Sequence, residues 1–336
     1  LWCINIQLVL QIFQDIEVQL KNRRKKKLNL EKMKAVFAAL PNCTVWSLQL
    51  LKINTSKQSG TSYVGREITL SPEGTLTSFV KEISEHYTNK SKGILLSYHD
   101  ITEYDGSTVD KFVYSLSKTN TLIVDEYNAL MEAIANPDTE LNPLEFKAKA
   151  YVLRGIIYID DEKKPIKLIS VQNPVTSLKH KFLRANGTFT EITDKVISLR
   201  TSIDVIIMDD IVYMLTLAGE NLFNMERAYK AACAGKLEEI KRCCIVTDFA
   251  AFSSVAGSGH NPRKFVSFNE SHLQKLKNSR SRVKMAKKFS IPMNGDCFDT
   301  TQPGVADKIV KLLCNRGMVD PFDDNPMEVA GSKKWE

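Results

Sequence analysis

Apolar positions along the chain follow two rhythms, an alternation of two that marks strands and a spacing of three to four that marks helices. Thr44 to Ile53 (TVWSLQLLKI) is rich in β-branched and aromatic residues and predicts a strand, followed by a polar loop. Ser71-Pro72-Glu73 then supplies a helix start, and Leu76, Phe79, Val80, Ile83 and Tyr87 keep helical spacing behind it. Gly93 to Tyr98, Lys111 to Leu116 and Thr121 to Val124 predict further strands, and Glu126 to Ala135 a short helix. A second series opens with strands at Phe146 to Ile159, Ile166 to Val171 and Phe182 to Ile192.

The strongest local pattern is VISLRTSIDVIIMDDIVYMLTL, Val196 to Leu217, two apolar β-rich runs that meet at Met208-Asp209-Asp210 and predict a hairpin. Directly after it, Leu222, Phe223, Met225, Ala228, Tyr229 and Ala232 place a helix over Glu220 to Cys233, with Gly235 as its stop, and a second helix runs from about Leu237 to Cys244. Ser267 and Glu270 form a capping box ahead of a helix expected to reach Lys288, and Gly304 to Asn315 is a last helix.

Asn136-Pro137-Asp138 and Asn142-Pro143 punctuate the middle of the chain, so the expected organisation is an N-terminal α+β domain over 33–140 and a C-terminal α+β domain over 141–336. The fold class is therefore α+β, two domains, each a mainly antiparallel sheet with packed helices; the second contains hairpin 196–217 and basic helix 267–288. Met33 opens MKAVFAALPN in the manner of a protein start. Residues 1–32 are accordingly read as upstream sequence, as a basic arm that touches nucleic acid, or as an amphipathic piece that touches a membrane surface.

Composition narrows the class. The 336 residues are 43% hydrophobic and 25% charged, ordinary values for a globular protein. The apolar start has a charge-free run of 14 residues, short of the roughly 20 that a spanning helix needs, and its basic cluster follows the apolar stretch, the reverse of a signal peptide. Seven scattered cysteines describe no disulfide framework and point to a reducing compartment, hence the cytoplasm.

Catalytic constellations are hard to find. Neither GxGxxG nor GxxxxGK[ST] occurs, and the nearest glycine cluster, Gly257-Ser258-Gly259-His260, reads as a flexible loop or a phosphate-contacting one. Cys243-Cys244 has no CxxC partner and the five histidines form no i,i+3 or i,i+4 pair, so no metal site and no cofactor are expected. A Mg²⁺-dependent nuclease is the alternative: Pro137-Asp138 and Glu145-Phe146-Lys147 are too close for the usual carboxylate-lysine hairpin, which leaves Asp160, Asp161, Asp209 and Asp210 as its candidates. All four sit at predicted turns, where acidic residues are common for backbone reasons.

Charge is more informative than chemistry. The net charge of +7 hides two concentrations: seven basic residues and one acid from Lys21 to Lys32, and nine basic residues against Glu270 alone from Arg263 to Lys288. Solvated helix faces usually mix signs, so the second stretch points to a polyanion. At 100° per residue, Lys277, Arg280, Lys284, Lys287 and Lys288 fall in one stripe, with Lys275 and Arg282 flanking the apolar strip on its other side; Arg263 and Lys264 enter from the preceding loop. These nine are the candidate DNA-binding residues, expected to hold phosphates of double-stranded DNA with little sequence preference, because no helix-turn-helix, zinc signature or interleaved aromatics offer base readout. An adaptor that binds protein or lipid is the other alternative.

The second half also carries TSIDVIIMDDIVYMLTLAGENLFNMERAYKAAC, the basic helix, and NRGMVDPFDDNPMEV near the end. This hydrophobic hairpin passing into a helix through Leu-Phe-x-x-Glu resembles the KwaB family, the cytosolic component of the two-gene Kiwa anti-phage defence system. The resemblance covers roughly Phe146 to Val329. It implies a non-enzymatic DNA-binding effector that works with a membrane-embedded partner, KwaA, and is recruited through it to the inner membrane. It assigns no DNA contact residue by residue. A homodimer is the expected assembly.

Overall fold

The computed structural model describes residues 27–328 apart from 44, 57–59, 90–97, 99–100, 102–113, 140–144, 178–181, 186, 192–194 and 321. The strand expected at Gly93 to Tyr98 therefore lies almost wholly outside the described residues, as does most of segment 1–32. Two compact units emerge: the first takes Leu1–His99, Thr108–Lys118 and Glu126–Leu222, the second Asp100–Ser107, Thr119–Asp125 and Phe223–Glu336.

The first unit is built on one antiparallel sheet. Its strands are β1 (Trp46–Ser56), β2 (Gly60–Ile68), β3 (Tyr114–Ser117), β4 (Ala150–Ile159), β5 (Glu162–Val171), and, after small ladders made by β6 (Val175–Ser177) with β9 (Lys195–Ile197) and β7 (Phe182–Ala185) with β8 (Thr188–Glu191), β10 (Val205–Met208) and β11 (Ile211–Met214). The spatial order is β2-β1-β4-β5-β10-β11-β3. Register aligns the alternating apolar residues into a continuous row: Leu48 opposes Leu153, Leu153 opposes Leu168, Leu168 opposes Ile206, and Ile206 opposes Tyr213. All five are fully buried, which is the cross-strand packing that stabilises a sheet.

Two helices cover that row. In α1, residues 27–39, Met33, Val36 and Phe37 recur at helical spacing and are fully buried. In α2 (Thr75–Thr88), Val80, Ile83, Ser84 and Tyr87 do the same. The two lock together through the stacked rings of Phe37 and Tyr87, 3.9 Å between centroids, and through Ser84 Oγ, which donates to the Phe37 carbonyl at 2.7 Å. The C-terminal end of α3 (Val124–Ala135) is tied to the sheet's opposite face by buried Gln49, whose Nε2 donates to the Ile134 carbonyl at 3.1 Å.

The α+β class is thus what the sequence predicts, while several details differ. Strands from both sides of residues 136–143 pair within one sheet, β1 with β4, and the chain leaves this unit after Leu222 instead. The Asn-Pro pairs mark a loop, and long-range strand pairing overrides them. The hairpin is confined to Val205–Met214, since Val196 and Ile197 belong to the ladder with β6. The strand expected at Thr121 to Val124 is instead a turn, Thr121 to Ile123, that enters α3 at Val124, because Asn120 Oδ1 accepts the Leu122 N–H and its carbonyl accepts those of Ile123 and Val124. Helix α2 starts at Thr75, behind Gly74 at φ 87°, three residues later than Ser71-Pro72 suggests.

The second unit is mostly helical. After α4 (Ala218–Leu222) closes the first unit, Asn224 at φ 48° interrupts the helix expected over Glu220 to Cys233, and α5 (Met225–Arg242) begins there. It runs straight through Gly235, since Cys233 and Ile240 bury on either side and outweigh a glycine cost of about 1 kcal/mol. Then come α6 (Phe249–Ala256), α7 (Asn261–Lys264), α8 (Glu270–Leu276), α9 (Ser279–Lys288) and α10 (Val305–Leu313), with two short ladders, β12 (Met293–Asn294) with β13 (Cys297–Phe298) and β14 (Gly317–Val319) with β15 (Pro326–Glu328). Phe252, Phe265, Leu273, Leu276, Phe298 and Ile309 belong to its core.

Candidate nucleic-acid interface

The basic segment begins where Asn269 caps α8, its Oδ1 accepting the N–H groups of Ser271 at 3.0 Å and His272 at 3.3 Å. Ser267, the expected cap, instead places its hydroxyl 2.8 Å from the carbonyls of Lys264 and Cys314. The single helix expected over 267–288 is two helices, because Asn278 adopts an extended conformation and its Oδ1 accepts the Ser281 N–H, which starts α9 afresh. Leu273, Leu276 and Ala286 bury and fix which faces of the pair turn outward.

Arg282 holds the junction together. It is only 7% exposed, and its Nη1 donates to the carbonyls of Leu276 at 2.8 Å and Lys277 at 3.0 Å, while Nε donates to that of Asp296 at 2.5 Å. A guanidinium placed at the last carbonyls of a helix satisfies acceptors that otherwise lack a partner and complements the helix dipole. Its position beside the apolar strip therefore makes it a structural residue, and it is removed from the set expected to meet DNA.

The other eight candidates divide by their neighbours. Lys264 lies 3.9 Å from the Asp307 carboxylate, which also pairs with Lys311 at 2.5 Å. Arg263 sits over the Tyr229 ring at 5.7 Å. Lys275, Lys277, Arg280, Lys284, Lys287 and Lys288 are all exposed, and among the described residues none of them has a carboxylate within ion-pair distance. Four of these, Arg280, Lys284, Lys287 and Lys288, occupy about 100° of the α9 surface. The one acid of the stretch is turned to other use, for Glu270 binds Lys236 at 2.7 Å, and that hydrogen bond and charge hold its carboxyl below the usual range.

One cation went unmarked in the sequence. Lys308 on α10 reaches the Ser290 carbonyl at 3.3 Å, just past the end of α9, and only the tertiary packing brings it there. The Gly257-Ser258-Gly259-His260 turn between α6 and α7 is exposed.

The acidic candidates lie in the first unit, and both pairs are two-residue hairpin turns. Asp160 and Asp161 have φ 49° and 62°, Asp209 and Asp210 have φ 52° and 61°, the left-handed conformation that short polar residues tolerate. Asp209 receives Lys32 Nζ at 2.9 Å and Lys164 Nζ at 3.7 Å, and Asp210 receives Lys118 Nζ at 2.8 Å. Burial opposes ionisation of Asp209, but Lys32 and Lys164 outweigh it and hold the carboxyl below its usual range. Among the described residues no three His, Cys, Asp or Glu side chains gather to hold a metal ion. No described helix is long and apolar enough to cross a membrane, and the six described cysteines are free thiols.

The family described as Kiwa protein KwaB-like matches residues 149–318, a stretch that runs from β4 of the sheet through α9 and α10 into β14. No curated protein and no solved structure matches the chain.

Proposed function

The chain belongs to the Kiwa KwaB-like family and so to a component of Kiwa anti-phage defence, and from that premise we propose that it binds double-stranded DNA through the α8–α9 surface without marked sequence preference. The observation that carries this reading is the set of six exposed, uncompensated cations on that surface. Phosphate contacts of this kind release counterions and need no base readout. Ten residues of α9 span about 15 Å, enough to meet two or three phosphates of one strand. Bound along phage DNA, the protein would obstruct replication or transcription. A homodimer would double the phosphate contacts, and the membrane-embedded partner KwaA would recruit the cytoplasmic protein to the inner membrane.

The test is equilibrium binding to a fluorescent duplex of arbitrary sequence across a salt series, with Mg²⁺ and with EDTA. The expected result is affinity that falls as a power of salt, by about 0.9 in the exponent per phosphate contacted, with the duplex left intact. Absence of binding at low salt overturns the reading in favour of an adaptor. Cleavage that needs Mg²⁺ overturns its non-enzymatic part in favour of a nuclease.

A further inference from the structure

Beside the cationic surface, α8, α9, α10 and β14 line an open cavity of about 320 Å³. Pockets for small molecules start at about 300 Å³, so this one has room for a single small ligand. Its lining has two chemistries. Leu276, Met285, Phe289 and Leu312 give it an apolar wall, and the missing side chain at Gly317 allows β14 to lie against that wall, since a Cβ there would stand 2.5 Å from Leu312 Cδ2 and 3.2 Å from Phe289 Cε1.

The rim is cationic. Lys275, Lys284 and Lys288 line it, three of the six uncompensated cations, and no carboxylate is among its described lining residues. Ser281 and His272 add polar groups. Leu312 O, an acceptor only, lies 3.1 Å from His272 Nδ1, which assigns the ring proton to Nδ1 and leaves Nε2 for a ligand. An apolar wall with one aromatic ring, a few hydrogen-bonding groups and clustered ammonium groups together match a planar heterocycle carrying a phosphate.

We propose that this cavity takes one nucleotide, its base against Phe289 and Leu312 and its phosphate among Lys275, Lys284 and Lys288. The proposal deepens the DNA-binding reading and rests on it for the surface on which the cavity opens. The shared chemistry has two sources, a free mononucleotide or an unpaired nucleotide at a strand end.

Calorimetric titration of the full chain with dAMP and with deoxyribose 5-phosphate tests it. The expected result is one saturable dAMP site, at least tenfold tighter than the base-free phosphate. The Phe289→Leu variant should erase that preference and leave affinity for a blunt duplex unchanged. Ser281→Trp, which fills the cavity from a half-exposed position, should block dAMP equally and serves if Phe289→Leu fails to fold. A one-nucleotide 3′ overhang that binds tighter than the blunt duplex identifies the strand end as the source, and equal binding identifies the free nucleotide. Equal affinity for dAMP and deoxyribose 5-phosphate, or a preference that survives both substitutions, overturns the proposal. Duplex binding without dAMP preference defeats this inference alone, whereas dAMP preference without duplex binding defeats the DNA reading alone.

Discussion

Two regions of this protein carry lysines in quantity and handle them in opposite ways. At the turn end of the sheet, Lys32, Lys118 and Lys164 each meet a carboxylate, on Asp209, Asp210 or Glu162, at 2.5 to 2.9 Å. On the α8–α9 surface six cations stand without one among the described residues. The first arrangement satisfies charge within the fold and tethers α1 to the β10–β11 turn. The second leaves repulsion unrelieved, which a fold tolerates on a surface when an external polyanion supplies the countercharge. The informative quantity is therefore whether countercharge is built in, more than how many bases are present.

Substitutions sharpen that contrast. The largest effect is expected at Arg282, the one base of the segment that is fully engaged inside the fold. Arg282→Met should cost about 3 kcal/mol of stability, read by urea unfolding, because three carbonyls lose a charged donor. The folded fraction should bind duplex with unchanged affinity. Next, Arg280→Glu, Lys284→Glu and Lys287→Glu combined should lower duplex affinity by about a hundredfold at moderate salt. Stability should hold or rise slightly, because like-charge repulsion is relieved.

Smaller effects belong to the paired charges. Asp209→Asn keeps the left-handed turn, which asparagine also tolerates, and removes the anion shared by Lys32 and Lys164. The expected loss is about 1 kcal/mol near neutral pH, with no change in duplex affinity. Because the folded carboxyl titrates below its free value, that contribution is present above about pH 4 and disappears as pH falls through the lower folded value. Wild type and variant should thus converge in stability in acid. Glu270→Gln, which leaves Lys236 paired with Glu239 alone, should leave stability nearly unchanged and raise duplex affinity no more than a few-fold.

Much of the fold was legible because local rules and tertiary packing agree. The β10–β11 hairpin combines Val205–Met208 and Ile211–Met214 with an Asp-Asp turn that accepts positive φ, and the stripes of α2 and α10 bury the faces that their spacing indicates. What stayed hidden is non-local. Nothing in the spacing of β1 says that it pairs with β4 a hundred residues on, so punctuation near residue 140 suggested a boundary that the sheet crosses. Gly235 signals a stop only if the next turn has nothing to bury, and Ile240 does.

The candidate surface was half legible. The density of cations and its helical stripe were in the sequence, and they locate Lys277, Arg280, Lys284, Lys287 and Lys288 on exposed positions. The capping signature at Asn278, with Ser281 three residues on, was also present, but the run of bases across it disguised the break. Arg282 was indistinguishable from its neighbours, since its role depends on the carbonyls of Leu276, Lys277 and Asp296 that packing brings to it. Lys308 needed α10 to be laid beside the end of α9.

The most direct test of the central claim is the salt dependence of duplex affinity, measured side by side for the wild type and for a variant with Lys275, Lys277, Arg280, Lys284, Lys287 and Lys288 all changed to glutamine. If these six cations hold phosphates, the log–log slope of the wild type should be steep and that of the variant shallower by up to about 5, with folding retained. An unchanged slope in a folded variant would contradict the account and send the DNA surface elsewhere on the chain.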